Sequence, residues 1–269
     1  PRLNLVFYYL DILSGGVPPK GFSAQWLMKK AYRWEKCFFE RADLLVIMKS
    51  YQKHYTRELF EKYQDKIYYG DFPLLVKNQT TQYKKGNVQE NCHLLLAGLV
   101  QKNMRNPEYL FAVISKLKGY VSIQFDFCGR HDCNELVNNL SKELGESFCF
   151  HGQVSTDIAE KMIDAADILI SIGNSLDAAV PSKIFTYMAT GKPILHVYSS
   201  HNDSALYYLK QYPLSILMYE DWNKIDESVE ILINFIKSDY NLLNYSEINK
   251  MFPENTPKAF VSEMEKLLK

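Results

Sequence analysis

The sequence predicts an α/β protein in which parallel β-sheets are flanked by helices on both faces. Short apolar runs of strand length alternate with helical segments from residue 93 onward, and 47% of the residues are apolar. The 269 residues suffice for one large or two small domains. Strands separated by helices pair in parallel, because a crossover connection brings them side by side. We therefore expect a complete doubly wound parallel sheet within residues 90–240.

The N-terminal region, residues 1–75, is predicted to contain three strands and one long helix. The helix, Ala24–Arg41, is amphipathic because apolar and charged residues recur on opposite faces at helical spacing. Ser50 follows the second strand and is expected to cap the next helix. The strands are predicted at Leu3–Leu10, Asp43–Met48 and Lys66–Tyr69, and the polar stretch Gly70–Gln89 is predicted to be a linker.

Regular alternation of strands and helices begins at His93. Asp157 and Glu160 have the spacing of a capping box at the start of one of these helices. The predicted strands are 93–97, 122–128, 148–151, 167–172, 193–198 and 215–218. The predicted helices are 107–118, 132–144, 156–166, 181–190, 203–211, 225–238 and 257–268.

The composition argues against several classes of function. Lys and Arg number 31, and Asp and Glu number 31, so the chain has no overall positive charge to attract nucleic acid. The six histidines are scattered and no Asp-x-Asp pair occurs, so we expect no metal site. The lack of Gly-x-Gly-x-x-Gly disfavours a nicotinamide cofactor, and no cofactor is predicted. No run approaches the ~20 apolar residues of a membrane span.

The five cysteines indicate a reducing compartment. They form no Cys-x-x-Cys pair, and an odd number cannot all form disulfides within the chain. Cys128 and Cys149 lie in apolar, strand-like runs and are predicted to be buried thiols. No secretory signal is visible, so a cytoplasmic location is expected.

The stretch Val180–Leu195 carries the strongest functional signal. It predicts a helix between two strands, because Pro181 suits a first helical turn and Gly191 suits a helix end. Four polar residues stand near the N-terminus of this helix: Asn174, Ser175, Ser182 and Lys183. Free backbone amides, hydroxyls and an ammonium group at one place are groups that bind phosphate.

The same stretch resembles the donor-site signature of bacterial glycosyltransferases with the GT-B fold, which have two Rossmann-type domains and use nucleotide sugars. The matching pattern is Pro-Ser-Lys-x-Phe-x-Tyr-Met-Ala-x-Gly-Lys-Pro-Ile over residues 181–194. The resemblance covers residues 90–200 well and the flanks loosely. Further matches follow in the expected order: Leu96–Leu99 with Arg105–Pro107, Phe127–Gly129, Phe150–Val154 and Ala165–Leu169.

The resemblance implies a GT-B-like α/β architecture with two Rossmann-type domains. The C-terminal domain, 90–240, is expected to be complete, and the N-terminal domain, 1–75, is expected to be partial. A whole N-terminal domain of this family has more than the three strands predicted here, so we expect about half a domain to be missing before Pro1. An unusually reduced acceptor domain is the alternative. In the family a C-terminal helix crosses back to the first domain, and the segment 241–269 is expected to do so.

The resemblance and the strand ends define a candidate donor site. Arg105 is expected to form bidentate hydrogen bonds with a diphosphate that Lys183 and Ser182 also contact. Lys183 stands in a first helical turn, where the helix dipole disfavours a cation unless an anion binds beside it. In the resembling enzymes the backbone near Gln153 contacts the base. Four further donor-binding candidates are Gly98 and Gly129 at strand ends, where a turn requirement explains glycine equally well, and Asn174 and Thr186 near the motif helix.

The chain departs from the family pattern at two positions. Many retaining members carry two glutamates around this helix, and Ala178 and Thr186 occupy the corresponding positions. The Thr186 hydroxyl would hydrogen-bond a ribose more weakly than a carboxylate does, and Asn174 and Asp177 are alternative contacts for the donor sugar. Asp11, at the end of the first strand, is the candidate catalytic residue, as a general base or an acceptor-orienting group. A structural cap is the alternative role for Asp11.

The predicted function is metal-independent transfer of a sugar from a nucleotide-diphosphate sugar to a saccharide or glycolipid acceptor in cell-surface polysaccharide synthesis. Two alternatives stay open: a non-catalytic nucleotide-sugar-binding subunit of a transferase complex, and a nucleotide-sugar epimerase. Residues 1–72 hold 12 basic and 8 acidic residues. This excess of positive charge has two interpretations: a peripheral contact with the inner face of the membrane, or an ordinary solvated surface. Pairing with a second copy through the aromatic helix Ala24–Arg41 also stays open.

Overall fold

The computed structural model describes residues 5–16, 18, 21–77 and 91–268. The chain divides into two compact units, one formed by residues 1–75 with 252–269 and the other by residues 76–251. Each unit contains helices and a parallel sheet of its own.

The first unit has, in its described part, a sheet with the order β1-β2-β3, in which both strand pairs are parallel. The predicted helix α1 is confirmed, and the Ser23 hydroxyl caps it by accepting a hydrogen bond from the amide of Trp26 at 3.1 Å. Phe39 of α1 is fully buried in an aromatic core. The elements are β1 (Val6–Tyr9), α1 (Ala24–Arg41), β2 (Leu44–Met48), α2 (Gln52–Tyr55), β3 (Ile67–Gly70) and a C-terminal helix (Pro257–Leu267).

The prediction that Ser50 caps the second helix is wrong. Ser50 lies inside a 3-10 turn, Lys49–Tyr51, and Tyr51 is the residue that precedes the first residue of α2. The buried Ser50 hydroxyl has no hydrogen-bond partner among the described residues, and no side chain caps α2.

Part of the predicted linker is packed structure. Phe72 and Leu75 are buried, and the side-chain amide of Asn255 donates hydrogen bonds to Oδ1 of Asp71 at 2.7 Å and to the carbonyl of Phe72 at 3.2 Å. The amide of Leu75 donates to the carbonyl of Asn255 at 2.8 Å. These bonds hold the C-terminal segment within the first unit. Residues 78–89 of the predicted linker lie outside the described residues.

The second unit contains a six-stranded sheet with the order β6-β5-β4-β7-β8-β9, and all of its strand pairs are parallel. None of the described helices has both the length and the apolar character needed to cross a bilayer. The strands are β4 (Cys92–Ala97), β5 (Ile123–Cys128), β6 (Phe148–Gly152), β7 (Ile168–Ile172), β8 (Ile194–Tyr198) and β9 (Ser215–Tyr219). The helices are α3 (Glu108–Leu117), α4 (Asn134–Leu144), α5 (Thr156–Ala165), α6 (Lys183–Ala189), α7 (Ala205–Leu209), α8 (Ile225–Lys237) and α9 (Tyr245–Met251).

The main core lies between one face of this sheet and the helices α3, α4 and α8. Alternate residues of the central strands point into it, as Leu94 and Leu96 do on β4. Apolar residues at helical spacing, such as Leu110, Ile114 and Leu117 on α3, cover them. On the other face, α6 packs against β7 and β8, and this places the motif helix over the central strands.

The predicted strands and helices of this unit are confirmed with ends displaced by at most two residues, and α9 is an addition. The capping box predicted at Asp157 and Glu160 is wrong, because the Ser155 hydroxyl accepts from the amide of Ile158 and so caps α5. The prediction that Cys149 is buried is also wrong. Cys149 is exposed, because β6 is the edge strand and several of its residues face solvent.

Lys192 has a structural role that the motif did not reveal. Its Nζ donates hydrogen bonds to the carbonyls of Ile163 (2.9 Å), Asp164 (2.6 Å) and Ala166 (2.7 Å), where α5 ends. The side chain is buried, and burial lowers the pKa of Lys192, which the nearby carboxylates of Asp164 and Asp167 oppose. The ammonium group satisfies carbonyls that have no partner within the helix.

We expect Lys192→Met to lower the free energy of unfolding by roughly 1.5–3 kcal/mol, because it removes charged hydrogen bonds and leaves helix-end carbonyls without a partner. Urea unfolding followed by circular dichroism measures this change. Lys161→Met is the matched control, because Lys161 lies on α5 itself and is exposed. Equal stability of the two variants would show that these carbonyls find other partners.

Candidate functional site

The strands β4 and β7 are neighbours, but the chain leaves them toward opposite edges of the sheet. Beyond β4 lie β5 and β6, and beyond β7 lie β8 and β9. The connections diverge at this pair and leave a crevice at the carboxyl ends of the strands, where open α/β sheets bind ligands. A cavity of about 130 Å³ lies there. Four of the sequence-predicted donor-site residues line it: Gly98, Arg105, Ser182 and Lys183.

Two glycines shape the backbone at this edge. Gly98 and Gly129 end adjacent strands with φ of +149° and +142°, a region that side chains with a Cβ rarely adopt. The amide of Gly98 donates to the carbonyl of Cys128 at 2.9 Å, and the amide of Gly129 donates to the carbonyl of Gly152 at 2.7 Å. A Cβ on Gly129 would overlap the Gly98 carbonyl oxygen. Gly129 therefore supports the turn at Gly98 and does not itself line the cavity.

A hydrogen bond fixes the position of Arg105. Its Nε donates to Oδ1 of Asn174 at 2.7 Å, and the Asn174 side-chain amide donates in turn to the carbonyl of Ala179. The amide of Ser175 donates to the carbonyl of Met104 at 2.8 Å, so the loops after β4 and β7 are joined at two places. Asn174 is buried, and its hydrogen bond orients the guanidinium group of Arg105 at the cavity wall.

Lys183 is the first residue of α6, and its aliphatic stem passes about 3.9 Å from where a Cβ of Gly98 would lie. Burial among its neighbours lowers the pKa of Lys183, and the Cys128 thiol opposes this. Lys183 nevertheless remains exposed to solvent at the cavity. Tyr187, one helical turn later, donates from its hydroxyl to the carbonyl of Ala97 at 3.1 Å and so ties α6 to the end of β4. Sequence reasoning missed this role of Tyr187.

Three other candidates lie outside the cavity lining. Gln153 and Thr186 are both exposed and belong to the second unit. Asp11 belongs to the first unit, is exposed, and accepts a 3.4 Å hydrogen bond from the hydroxyl of Tyr51. Burial raises the pKa of Tyr51, and the carboxylate of Asp11 adds to this. Tyr51 is thus a hydrogen-bond partner of Asp11, whose side chain belongs to an exposed residue.

The six-stranded sheet also brings together residues whose proximity no sequence pattern predicts. Asp126 on β5 hydrogen-bonds through one carboxylate oxygen to His93 on β4 and through the other to His151 on β6, the latter at 2.9 Å. Burial acts to raise the pKa of Asp126, but the hydrogen bonds from His151 and His93 outweigh it and lower that pKa. Exposed Cys149 lies beside His151. The histidines are 58 positions apart in the chain, so their proximity follows from the pairing of three strands.

No protein-family model matches the sequence, and no curated protein matches it either. Several solved structures resemble the chain. The lipopolysaccharide outer core galactosyltransferase WaaB in its apo form is 14% identical, with a TM-score of 0.58 over 86% of this chain and 63% of that one. A variant of S. aureus TarM in complex with fondaparinux, alpha-GlcNAc-glycerol and UDP is 12% identical, with a TM-score of 0.60 over 93% of this chain and 48% of that one. Sucrose-phosphate synthase from Thermosynechococcus elongatus is 16% identical, with a TM-score of 0.58 over 89% of this chain and 61% of that one.

These neighbours are GT-B glycosyltransferases, and the α/β fold class predicted for this chain is confirmed. The chain spans between 48% and 63% of the length of these three structures. At such low identity the likeness concerns the fold.

We expect Gly129→Ala to destabilise the second unit by roughly 1–3 kcal/mol, because the added Cβ would force the ends of β4 and β5 apart at an unfavourable φ. Urea unfolding measures the change. Gly119→Ala is the control, because its Cβ would make only an ordinary 3.4 Å contact with the Lys116 carbonyl oxygen. An unchanged unfolding midpoint for Gly129→Ala would mean that the strand ends can separate freely.

Proposed function

We propose that this protein is a glycosyltransferase that transfers a sugar from a nucleotide-diphosphate sugar to a saccharide or glycolipid acceptor. The observation that supports this proposal is the cavity at the carboxyl ends of β4 and β7, where Arg105 and Lys183 both reach the lining. The likeness of the fold to known glycosyltransferases supports glycosyl transfer at a general level.

The cavity suits a diphosphate because it offers two cations of different geometry. The guanidinium of Arg105 presents paired N–H donors and is held in place by Asn174. The ammonium of Lys183 is a point charge. Burial has lowered the pKa of Lys183, and an anion beside the ammonium would raise that pKa again. The Ser182 hydroxyl, which caps no backbone amide of α6, adds a third donor.

These groups would also serve the reaction. When the bond between the anomeric carbon and the diphosphate breaks, negative charge grows on the departing phosphate oxygen. Arg105 and Lys183 would stabilise this charge more strongly in the transition state than in the bound donor. The acceptor hydroxyl would form the new bond to the anomeric carbon, and Asp11 would orient it or accept its proton.

The proposed setting is the synthesis of a cell-surface polysaccharide in the cytoplasm, where the exposed Cys149 thiol stays reduced. Contact with the inner face of the membrane and pairing with a second copy remain proposals for the aromatic, basic helix α1. Trp34 on this helix is 63% exposed, and Lys30 lies 4.8 Å from the ring centre of Trp26. Both features suit a surface that contacts another molecule.

A second candidate function is a non-catalytic nucleotide-sugar-binding subunit. It is favoured by Ala178 and Thr186, which stand where many retaining relatives of the resembling family carry glutamates. An epimerase requires acid and base groups at the sugar, and the lining of the described cavity contains neither a carboxylate nor a histidine. The transferase and the binding subunit differ in turnover and not in donor binding.

We expect Lys183→Ala to weaken binding of a nucleoside diphosphate by roughly 10- to 150-fold, because a charged hydrogen bond contributes about 1.5–3 kcal/mol. Binding of the matching nucleoside should change little. Calorimetry with UDP and uridine is the first measurement, since UDP is the nucleotide in the TarM complex, and GDP, ADP and dTDP complete the panel.

The matched control for this experiment is Lys142→Ala, because Lys142 is exposed on α4 and lies outside the cavity. It should bind each nucleotide as the unmodified protein does. Equal losses of nucleotide and nucleoside binding in Lys183→Ala would contradict a phosphate contact at this residue.

We expect Asp11→Asn to reduce sugar transfer by roughly 10²–10⁴-fold while nucleotide affinity is unchanged, if the carboxylate accepts the proton of the acceptor. Transfer is measured with labelled nucleotide sugars and a panel of saccharide and glycolipid acceptors. Asp65→Asn is the control, because Asp65 is another exposed carboxylate of the first unit. Unimpaired transfer by Asp11→Asn would exclude this role, and donor binding without turnover in the unmodified protein would support the subunit.

A further inference from the structure

One face of the six-stranded sheet carries four side chains of metal-binding type that the proposed function does not use. His93 lies on β4, Asp126 on β5, and Cys149 and His151 on β6. Asp126 and Cys149 are partners in the strand register, and alternate residues of a strand point to one face. Phe125, the neighbour of Asp126 along β5, belongs to the core on the opposite face.

The polar atoms of this cluster lie close together. Nε2 of His151 lies 2.9 Å from Oδ1 of Asp126, and Sγ of Cys149 lies 3.9 Å from Nδ1 of His151. One ligand atom from each of Asp126, Cys149 and His151 lies within 4.8 Å of the other two. Nε2 of His93 hydrogen-bonds to Oδ2, the carboxylate oxygen that faces away from His151.

We propose that Asp126, Cys149 and His151 form a binding site for a zinc-like divalent transition-metal ion, with His93 as the residue that orients the carboxylate. Asp126 would bind through Oδ1, Cys149 through its thiolate and His151 through one imidazole nitrogen. Hydrogen bonding of the second carboxylate oxygen to His93 is the arrangement found around metal-bound carboxylates, whose outer partners fix their orientation.

The kinds of ligand determine which ion fits. Thiolate and imidazole ligands favour zinc and the neighbouring late first-row ions, whereas magnesium and calcium prefer sites made of oxygen alone. Three protein ligands leave the fourth tetrahedral position to solvent or another small ligand. Cys149 is exposed and the His151 side chain is 34% exposed, so this fourth position would open toward solvent.

The distances fit a site that needs one small adjustment. Zinc bonds of about 2.0–2.3 Å place tetrahedral ligand atoms roughly 3.3–3.7 Å apart. In this structure the ligand atoms of the three residues lie within 4.8 Å of one another, which is at most about 1 Å more than the spacing in a zinc site. Rotation of the exposed Cys149 side chain can close such a gap, while hydrogen bonds between β5 and β6 keep the backbone in place.

A bound ion would join the edge strand β6 to β5 by coordinate bonds. β6 ends at Gly152 and leads into Gln153, so the ion would stiffen the edge of the sheet at this point. The site stands apart from the proposed sugar transfer, because the ligands belong to neither the described cavity lining nor the proposed acceptor group.

Cobalt titration tests the site directly. The purified protein, kept reduced with a phosphine and freed of metal by chelation, is titrated with Co²⁺. We expect one equivalent to bind, with the visible bands of four-coordinate cobalt and a near-ultraviolet charge-transfer band from a thiolate. Zinc should displace the cobalt, and excess magnesium should not.

Three variants assign the signal to the cluster. Cys149→Ser should abolish the thiolate band, His151→Gln should weaken cobalt binding strongly, and His93→Gln should weaken it by roughly 10- to 100-fold, as expected for an outer partner. The controls are Cys37→Ser and His201→Gln, because these two residues lie outside the cluster and are partly or fully exposed. Both controls should bind cobalt as the unmodified protein does. Circular dichroism verifies that each variant is folded.

Two outcomes would overturn the proposal. The first is folded, reduced protein that gives no four-coordinate cobalt spectrum, which would leave the cluster as a hydrogen-bonded network of Asp126 and two histidines. The second is a thiolate band that survives Cys149→Ser or disappears in Cys37→Ser, which would place the ion on a different cysteine.

Discussion

The parallel pairing of β4 with β7 is the constraint on which the rest of the second unit depends. Leu94, Leu95 and Leu96 pair with Ile168, Leu169 and Ile170, although more than 70 residues separate the two strands in the chain. This pairing places the strand pairs β5–β6 and β8–β9 on opposite sides. It therefore creates the crevice, and it brings the loop that carries Arg105 next to the loop that carries Asn174.

Hydrogen bonds and close packing within the protein keep the walls of the cavity in place without a bound ligand. Tyr187 ties α6 to the end of β4, and the carbonyl of Met104 accepts a hydrogen bond from the loop after β7. The close approach of Gly98 and Gly129 leaves no room for a side chain between the strand ends. Groups positioned in advance bind and stabilise charge at lower entropic cost than groups that must be ordered by the ligand.

The same sheet places two chemically different clusters within one unit. At the carboxyl ends of β4 and β7 the groups that line the cavity are cationic or neutral, which suits an anion. On the face of β4, β5 and β6 a carboxylate, a thiol and two imidazoles meet, which suits a cation. Lys192 illustrates a third use of charge, because its buried ammonium group completes the end of α5 and does not face a ligand.

The order and type of nearly all elements of the second unit could be predicted from the sequence, as could the location of Arg105 and Lys183 at strand and helix ends. These features follow from local periodicity and from turn and helix-end residues, which act over a few positions. Folding in three dimensions was needed to expose Cys149 on an edge strand and to bring Asn174 against Arg105. It alone joined His93, Asp126 and His151, because strand order and register arise from packing between distant segments and not from the pattern within any one of them.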